Sequence, residues 1–166
     1  GVYTQRYNAF GVLQWTNVYV NTTYFFLTRN TAASAVFDPF GNIYFSGTLG
    51  LNNSVLSDEF VVKINSAGNM VWDELYDNPS NTEDHSVDLL IDNSGNTYNI
   101  GYTGRFFYKP INTTIVKYSS AGLMQWEGLF DSPGNKQDEG IQLAIEGSSS
   151  IYSFGTTTNQ GTDQDI

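Results

Sequence analysis

The chain has 166 residues, enough for one sizeable core, and carries a formal net charge of −10 with no cysteine. That charge excludes nucleic-acid binding through the overall field, and the missing thiols exclude a disulfide framework or a thiolate metal site. With 40% hydrophobic and 15% aromatic residues, 16 glycines and only 14% charged residues, the composition suits an all-β protein with many turns.

The first predicted element is a hairpin within residues 1–19. Tyr3–Trp15 reads YTQRYNAFGVLQW: a short strand, a turn at Gly11, and a second strand running on to Tyr19. The phrase returns at Phe60–Trp72 (FVVKINSAGNMVW) and at Thr114–Trp126 (TIVKYSSAGLMQW). A Gly precedes each Trp by four residues (Gly11, Gly68, Gly122), and a basic residue precedes it by nine (Arg6, Lys63, Lys117). An aromatic follows it by four (Tyr19, Tyr76, Phe130). Self-similarity in fixed phase marks a repeat protein.

Residues 33–77 then predict a full unit of four strands, with a tight turn at Asp38-Pro39-Phe40-Gly41-Asn42. Residues 86–131 repeat it, with strands at Ser86–Ile91, Thr97–Tyr102, Thr114–Tyr118 and Leu123–Phe130. The turns Asp92–Asn96 and Ser119–Gly122 each place Gly where a hairpin needs positive φ. Residues 140–158 hold only a first hairpin, whose turn departs to Glu146-Gly147-Ser148-Ser149-Ser150. Tyr44, Tyr98 and Tyr152 are spaced by 54, as are Gly47, Gly101 and Gly155, and Asp38, Asp92 and Glu146. The Trp spacings are 57 and 54, and the three additional residues fall between Tyr19 and Asp38.

Nothing of useful length reads as an amphipathic helix, and the third strand of each unit is nearly continuous apolar, as in a sheet covered on both faces. Four short antiparallel strands at a period of 54 residues predict β-propeller blades. The expected fold is therefore all-β: a single propeller-type module with two whole blades and two complementary half blades. Joined head to tail, two copies would keep phase, the next Trp falling 55 residues after Trp126. There is no signal-peptide pattern and no apolar run long enough to span a membrane. Opening inside a repeat, the sequence reads as a processed piece or a fragment.

Asp58–Trp72 and Asp92–Thr103 carry the phrases D-x-F-V-V-K-x-N-S-x-G-N-x-x-W and D-N-S-G-N-x-Y-x-x-G-Y-T. Together they resemble the SBBP-type β-propeller repeat, and the similarity covers nearly the whole chain. The resemblance implies the propeller fold and an exported or surface location, and implies little about activity. The Gly-x-x-x-Trp turn is also similar to the Trp-docking motif of quinoproteins that bind pyrroloquinoline quinone and calcium. Their preceding Ala-x-Asp pattern and Cys pair are missing here.

The three Trps read as packing between blades, with Trp72 largely buried. The lone His85 has no spaced partners for a zinc site or a triad. With no nucleophile–base pair and no phosphate loop, the chain is not expected to be an enzyme or to hold a cofactor. Acids in the fourth-to-first-strand loops (Asp77, Glu83, Asp84 and Asp131, Asp138, Glu139) form either a solvated rim or a calcium site. Three sequons, at Asn21, Asn52 and Asn112, share the opposite face from the tight hairpins and would carry N-linked sugar on an exported chain.

The aromatic runs Tyr24-Phe25-Phe26 and Phe106-Phe107-Tyr108 read as packing, as subunit contact or as a sugar-stacking surface. A lone chain would leave two open β edges, the segment with Tyr3, Gln5 and Tyr7 and the segment with Ile151 and Ser153. Strand addition between copies would pair them. The expected function is therefore an extracellular or cell-surface structural repeat protein, N-glycosylated and assembling with itself head to tail into a fibre or surface layer. The alternatives are a lectin-like propeller that binds glycans through its loop aromatics, and a quinoprotein-like enzyme.

Overall fold

In the computed structural model the described residues are 1–20, 27–51, 57–79, 83–104, 111–134, 136–147 and 150–158. They form twelve strands, all paired antiparallel, and no helix. The strands are β1 (Val2–Tyr7), β2 (Leu13–Tyr19), β3 (Leu27–Phe37), β4 (Ile43–Leu51), β5 (Ser57–Ile64) and β6 (Met70–Tyr76). Then follow β7 (Asp84–Ile91), β8 (Thr97–Thr103), β9 (Asn112–Tyr118), β10 (Met124–Phe130), β11 (Gln137–Glu146) and β12 (Ser150–Thr158). Strands β3 to β6 make one four-stranded sheet in chain order, and β7 to β10 make another. Two two-stranded ribbons, β1–β2 and β11–β12, flank them in sequence.

The turns explain the repetition. Asp38 and Asp92 each accept backbone N–H bonds from residues two and four further on, at 2.8–2.9 Å. Asn8 and Asn65 do the same in the second hairpin of their units, at 2.9–3.0 Å. A short polar side chain thus closes the loop, and Gly41 and Gly95 complete it at φ near 80°.

Every fourth strand of a unit has a bulge one residue before its Trp. Trp15 pairs with Arg6 and Leu13 with Tyr7, so Gln14 is unpaired. Val71 and Gln125 are skipped in the same way. A bulge re-aims the next side chain, and here that side chain is the Trp in all three strands.

Three apolar clusters fill the spaces between successive sheets. Val2, Tyr19, Phe45 and Phe60 lie between the β1–β2 ribbon and the first four-stranded sheet. Tyr44, Tyr76, Leu89 and Tyr118 lie between the two four-stranded sheets. Tyr98, Ile100 and Leu143 lie between the second sheet and the β11–β12 ribbon. Each such side chain contributes about 1.5–3 kcal/mol when fully buried.

Candidate functional site

The most regular side-chain contact is an indole laid on the next unit's turn. The Trp15 Nε1–H donates to the Ser66 carbonyl at 3.2 Å, and Trp72 donates to the Ser120 carbonyl at the same distance. The Arg6 guanidinium and the Lys63 ammonium donate to those same carbonyls at 2.8 and 3.4 Å. A Cβ on Gly68 would stand 2.9 Å from the Trp15 ring, and one on Gly122 3.0 Å from the Trp72 ring. Only Gly leaves room for the indole, and only Gly takes these φ values of +90° and +88° without strain. Lys63 and Lys117 lie over the rings of Tyr44 and Tyr98, at 4.9 and 5.0 Å.

Trp72 is partly buried and packs against the cluster between the two four-stranded sheets. Trp15 and Trp72 are half-buried, because they dock at the rim of the sheet where the turn carbonyl is within reach. Trp126 differs. It is 41% exposed, with its ring against Tyr98 at 6.1 Å between centroids, and a Cβ on Gly11 would meet nothing within 4 Å. One docking indole and one receiving turn therefore stand open at opposite ends of the fold. The aromatics four residues after each Trp follow suit: Tyr19 and Tyr76 are 3% and 4% exposed, but Phe130 is 58% exposed.

The predicted edge residues fall on the two flanking ribbons, on β1 and β12. Among the described residues, β1 pairs only with β2, and β12 only with β11. Tyr3, Gln5, Tyr7 and Ser153 are exposed, and Ile151 is half-buried against the third apolar cluster. Phe130, Phe154 and Thr113 line a groove beside β12. Asn112 opens β9 and is half-buried, with its Oδ1 buried and accepting no hydrogen bond. Asn21, Asn52, Tyr24, Phe25, Phe26, Phe106, Phe107 and Tyr108 lie outside the described residues.

Two polar groups were missed by sequence reasoning. Glu59 is fully buried on β5. Its carboxyl accepts hydrogen bonds from the Thr114 hydroxyl at 3.0 Å and from the Asn99 side-chain amide. Asn99 in turn accepts from Ser86, at 2.8 Å. Burial, with the Asp84 charge behind it, pushes the Glu59 carboxyl up to about 8, against the pull of Thr114 and Asn99. It is thus largely protonated at neutral pH. It follows Ser57 and Asp58 at the polar start of β5, so nothing in the sequence sets it apart.

The second is Asp58, which joins Asp77 and Asp84. One carboxylate oxygen from each lies within 4.8 Å of the others. Asp58 and Asp84 are buried and Asp77 is exposed. Burial raises the Asp84 carboxyl to about 6, with the Asp58 and Asp77 charges adding to it. The Asn78 N–H and the nearby Thr103 hydroxyl oppose the shift.

His85 stacks on Tyr102 with ring centroids 4.9 Å apart. Its Nε2 lies 3.4 Å from the Ser57 hydroxyl and 3.8 Å from Glu83. A relay from acid to nucleophile needs both ring nitrogens, and here one nitrogen meets both groups. The Ser57 hydroxyl also donates to the Asp84 carbonyl at 3.3 Å. This group reads as packing.

Among the described residues, no helix is long and apolar enough to cross a membrane. Comparison with models of known protein families returns no match, and comparison with curated protein sequences returns none either.

Proposed function

We propose that the chain is a structural module whose four-stranded sheets are propeller-type blades, and that it assembles head to tail with copies of itself. The observation that carries this reading is the open indole of Trp126 together with the vacant turn at Gly11. These are the two halves of a contact that the chain makes twice internally.

The internal ladders supply the register. Tyr44 pairs with Lys63, Phe45 with Val62 and Gly47 with Phe60, and the second sheet repeats this through Tyr98 and Lys117. Carried forward in phase, Tyr152 of one copy meets Arg6 of the next, Ser153 meets Gln5, and Gly155 meets Tyr3. Strands β11 and β12 of one copy and β1 and β2 of the next would complete a four-stranded blade. Arg6 would lie over the Tyr152 ring as Lys63 lies over Tyr44, Trp126 would dock on the Ala9 carbonyl, and Tyr3 would cover Phe130. Such a join is heterologous, so it closes a ring or runs on as a filament. Exposed β edges are normally shielded, which supports a filament or surface layer over a free monomer. On this reading the protein is exported and sugar-bearing at its sequons, and the mass of native material checks that part.

The absence of cysteine makes the main test clean. Gln5→Cys with Ser153→Cys, oxidised in the purified chain, is expected to give a ladder of disulfide-linked multimers. Directly opposed antiparallel residues stand about 4.5–5.5 Å apart at Cβ. Monomers alone, at concentrations where the parent chain is multimeric, would refute the register. A parent chain that stays monomeric by light scattering would refute the assembly.

A further inference from the structure

The repeat offers its own control for the acidic cluster. Asp84 and Asp138 are equivalent, 54 residues apart, and both are fully buried. In the later copy the carboxylate is satisfied: the Ser132 N–H donates to Oδ2 at 2.6 Å and the Ser132 hydroxyl donates to Oδ1 at 2.7 Å. In the earlier copy Ser132 is replaced by Asn78. Its N–H still donates to Asp84 Oδ2, at 2.8 Å, but its side-chain amide turns to the Tyr76 hydroxyl at 3.3 Å. Asp84 Oδ1 is left buried, accepting no hydrogen bond. At the same place Asn112 of the later copy becomes Asp58, so a third acid joins where the neutral cap is lost.

A buried anionic oxygen without a partner is costly, and two further carboxylates make it costlier. A cation removes both penalties. The ligands are all hard oxygens, and the neighbouring imidazole of His85 already engages Ser57 and Glu83. Calcium takes carboxylate oxygens at about 2.3–2.6 Å in flexible geometry, so oxygens on opposite sides of one ion stand about 4.6–5.2 Å apart. Three oxygens within 4.8 Å of one another fit that span. Magnesium dehydrates reluctantly and is held less well by protein carboxylates alone.

We infer that Asp58, Asp77 and Asp84 form a calcium site that joins the first four-stranded sheet to the second. Asp58 comes from β5, Asp77 from the segment after β6, and Asp84 from the start of β7. The ion clamps one junction of the repeat and has no counterpart at Asn112, Asp131 and Asp138.

The test uses the whole chain, stripped with chelator and titrated with calcium chloride by calorimetry and thermal melting. One ion per chain is expected, with a melting temperature raised by several degrees and magnesium at least tenfold weaker. Asp77 is exposed, so Asp77→Asn should fold normally and bind calcium at least tenfold more weakly, while Asp131→Asn should bind as the parent does. No heat and no melting shift at millimolar calcium would overturn the site, as would parental affinity in Asp77→Asn. None of these readings depends on assembly, since stoichiometry and affinity are measured per chain.

Discussion

The Nε1–H of Trp72 donates to the carbonyl of Ser120, 48 residues on and in the turn between β9 and β10, at 3.2 Å. Trp15 makes the equivalent bond to Ser66, so the contact belongs to the repeat. Replacing Trp72 with Ala should cost about 2–4 kcal/mol, at or below the usual range for a large core aromatic because the ring is half-buried. Trp126→Ala should cost less, about 1 kcal/mol in the monomer, where the indole is 41% exposed and packs on the Tyr98 ring. It should nevertheless abolish assembly. Denaturant melts on dilute protein and sizing on concentrated protein separate the two effects.

The receiving turns predict a matching contrast. Gly11 and Gly122 both have positive φ, 77° and 88°. Ala at either should cost about 1–2 kcal/mol for the left-handed backbone. At Gly122 the new methyl also strikes the Trp72 ring, so Gly122→Ala should be the worse by a further kcal/mol or so. Gly11→Ala should leave the monomer folded and block assembly, which velocity sedimentation would show.

Glu59 should tolerate loss of its charge and not loss of its shape. Glu59→Gln should change stability by less than about 1 kcal/mol, since the parent side chain is already largely neutral at pH 7. Glu59→Ala leaves a cavity and strips Thr114 and Asn99 of their acceptor. It should cost about 2–4 kcal/mol in urea melts.

Acid should weaken the first hairpins of the two complete sheets. Burial acts to raise Asp92. The Asn96 side chain and the backbone N–H groups of Asn96 and Ser94 outweigh it and hold the carboxyl below its ordinary 3.8. Asp38 is lowered in the same way. A depressed carboxylate stabilises the fold above its unfolded value, and that contribution is lost as pH falls through the folded value. Stability should therefore drop below about pH 4. Asp92→Asn should soften this acid limb at a cost of about 1–2 kcal/mol at pH 7: its Oδ1 can close the turn as that of Asn65 does, but the Asn96 amide and the Tyr98 hydroxyl lose their acceptor at Oδ2. Thermal melts from pH 2 to 7 on parent and variant check it.

The strands, the hairpin turns and the period were legible because each rests on local chemistry. Gly at a positive φ, Asp or Asn at the turn start and alternating apolar runs are all readable within ten residues. The first strand of each complete unit was not fully legible. Strand β3 begins at Leu27 and β7 at Asp84, earlier than residues 33 and 86, because polar residues there pair across the ladder and against the neighbouring sheet. The acids of the loops were visible, but Asp58 was not counted with them. It is 26 residues from Asp84, and the bridge between Ser57 and Glu83 brings it there. Glu59 looked like one more polar residue in a strand. Its partners Asn99 and Thr114 lie 40 and 55 residues away.

The first junction buries Val2 with Phe45 and Phe60, where the second buries Glu59 with Asn99 and Thr114. These are the same three positions in successive periods, filled once by hydrocarbon and once by a hydrogen-bonded polar trio. Repeated genes tend to lose or gain a period by unequal recombination. Here the loss of one period would set Val2 against Asn99 and Thr114, stranding two polar groups beside an aliphatic side chain. Order among the units therefore matters: the first ribbon suits the first four-stranded sheet and not the second.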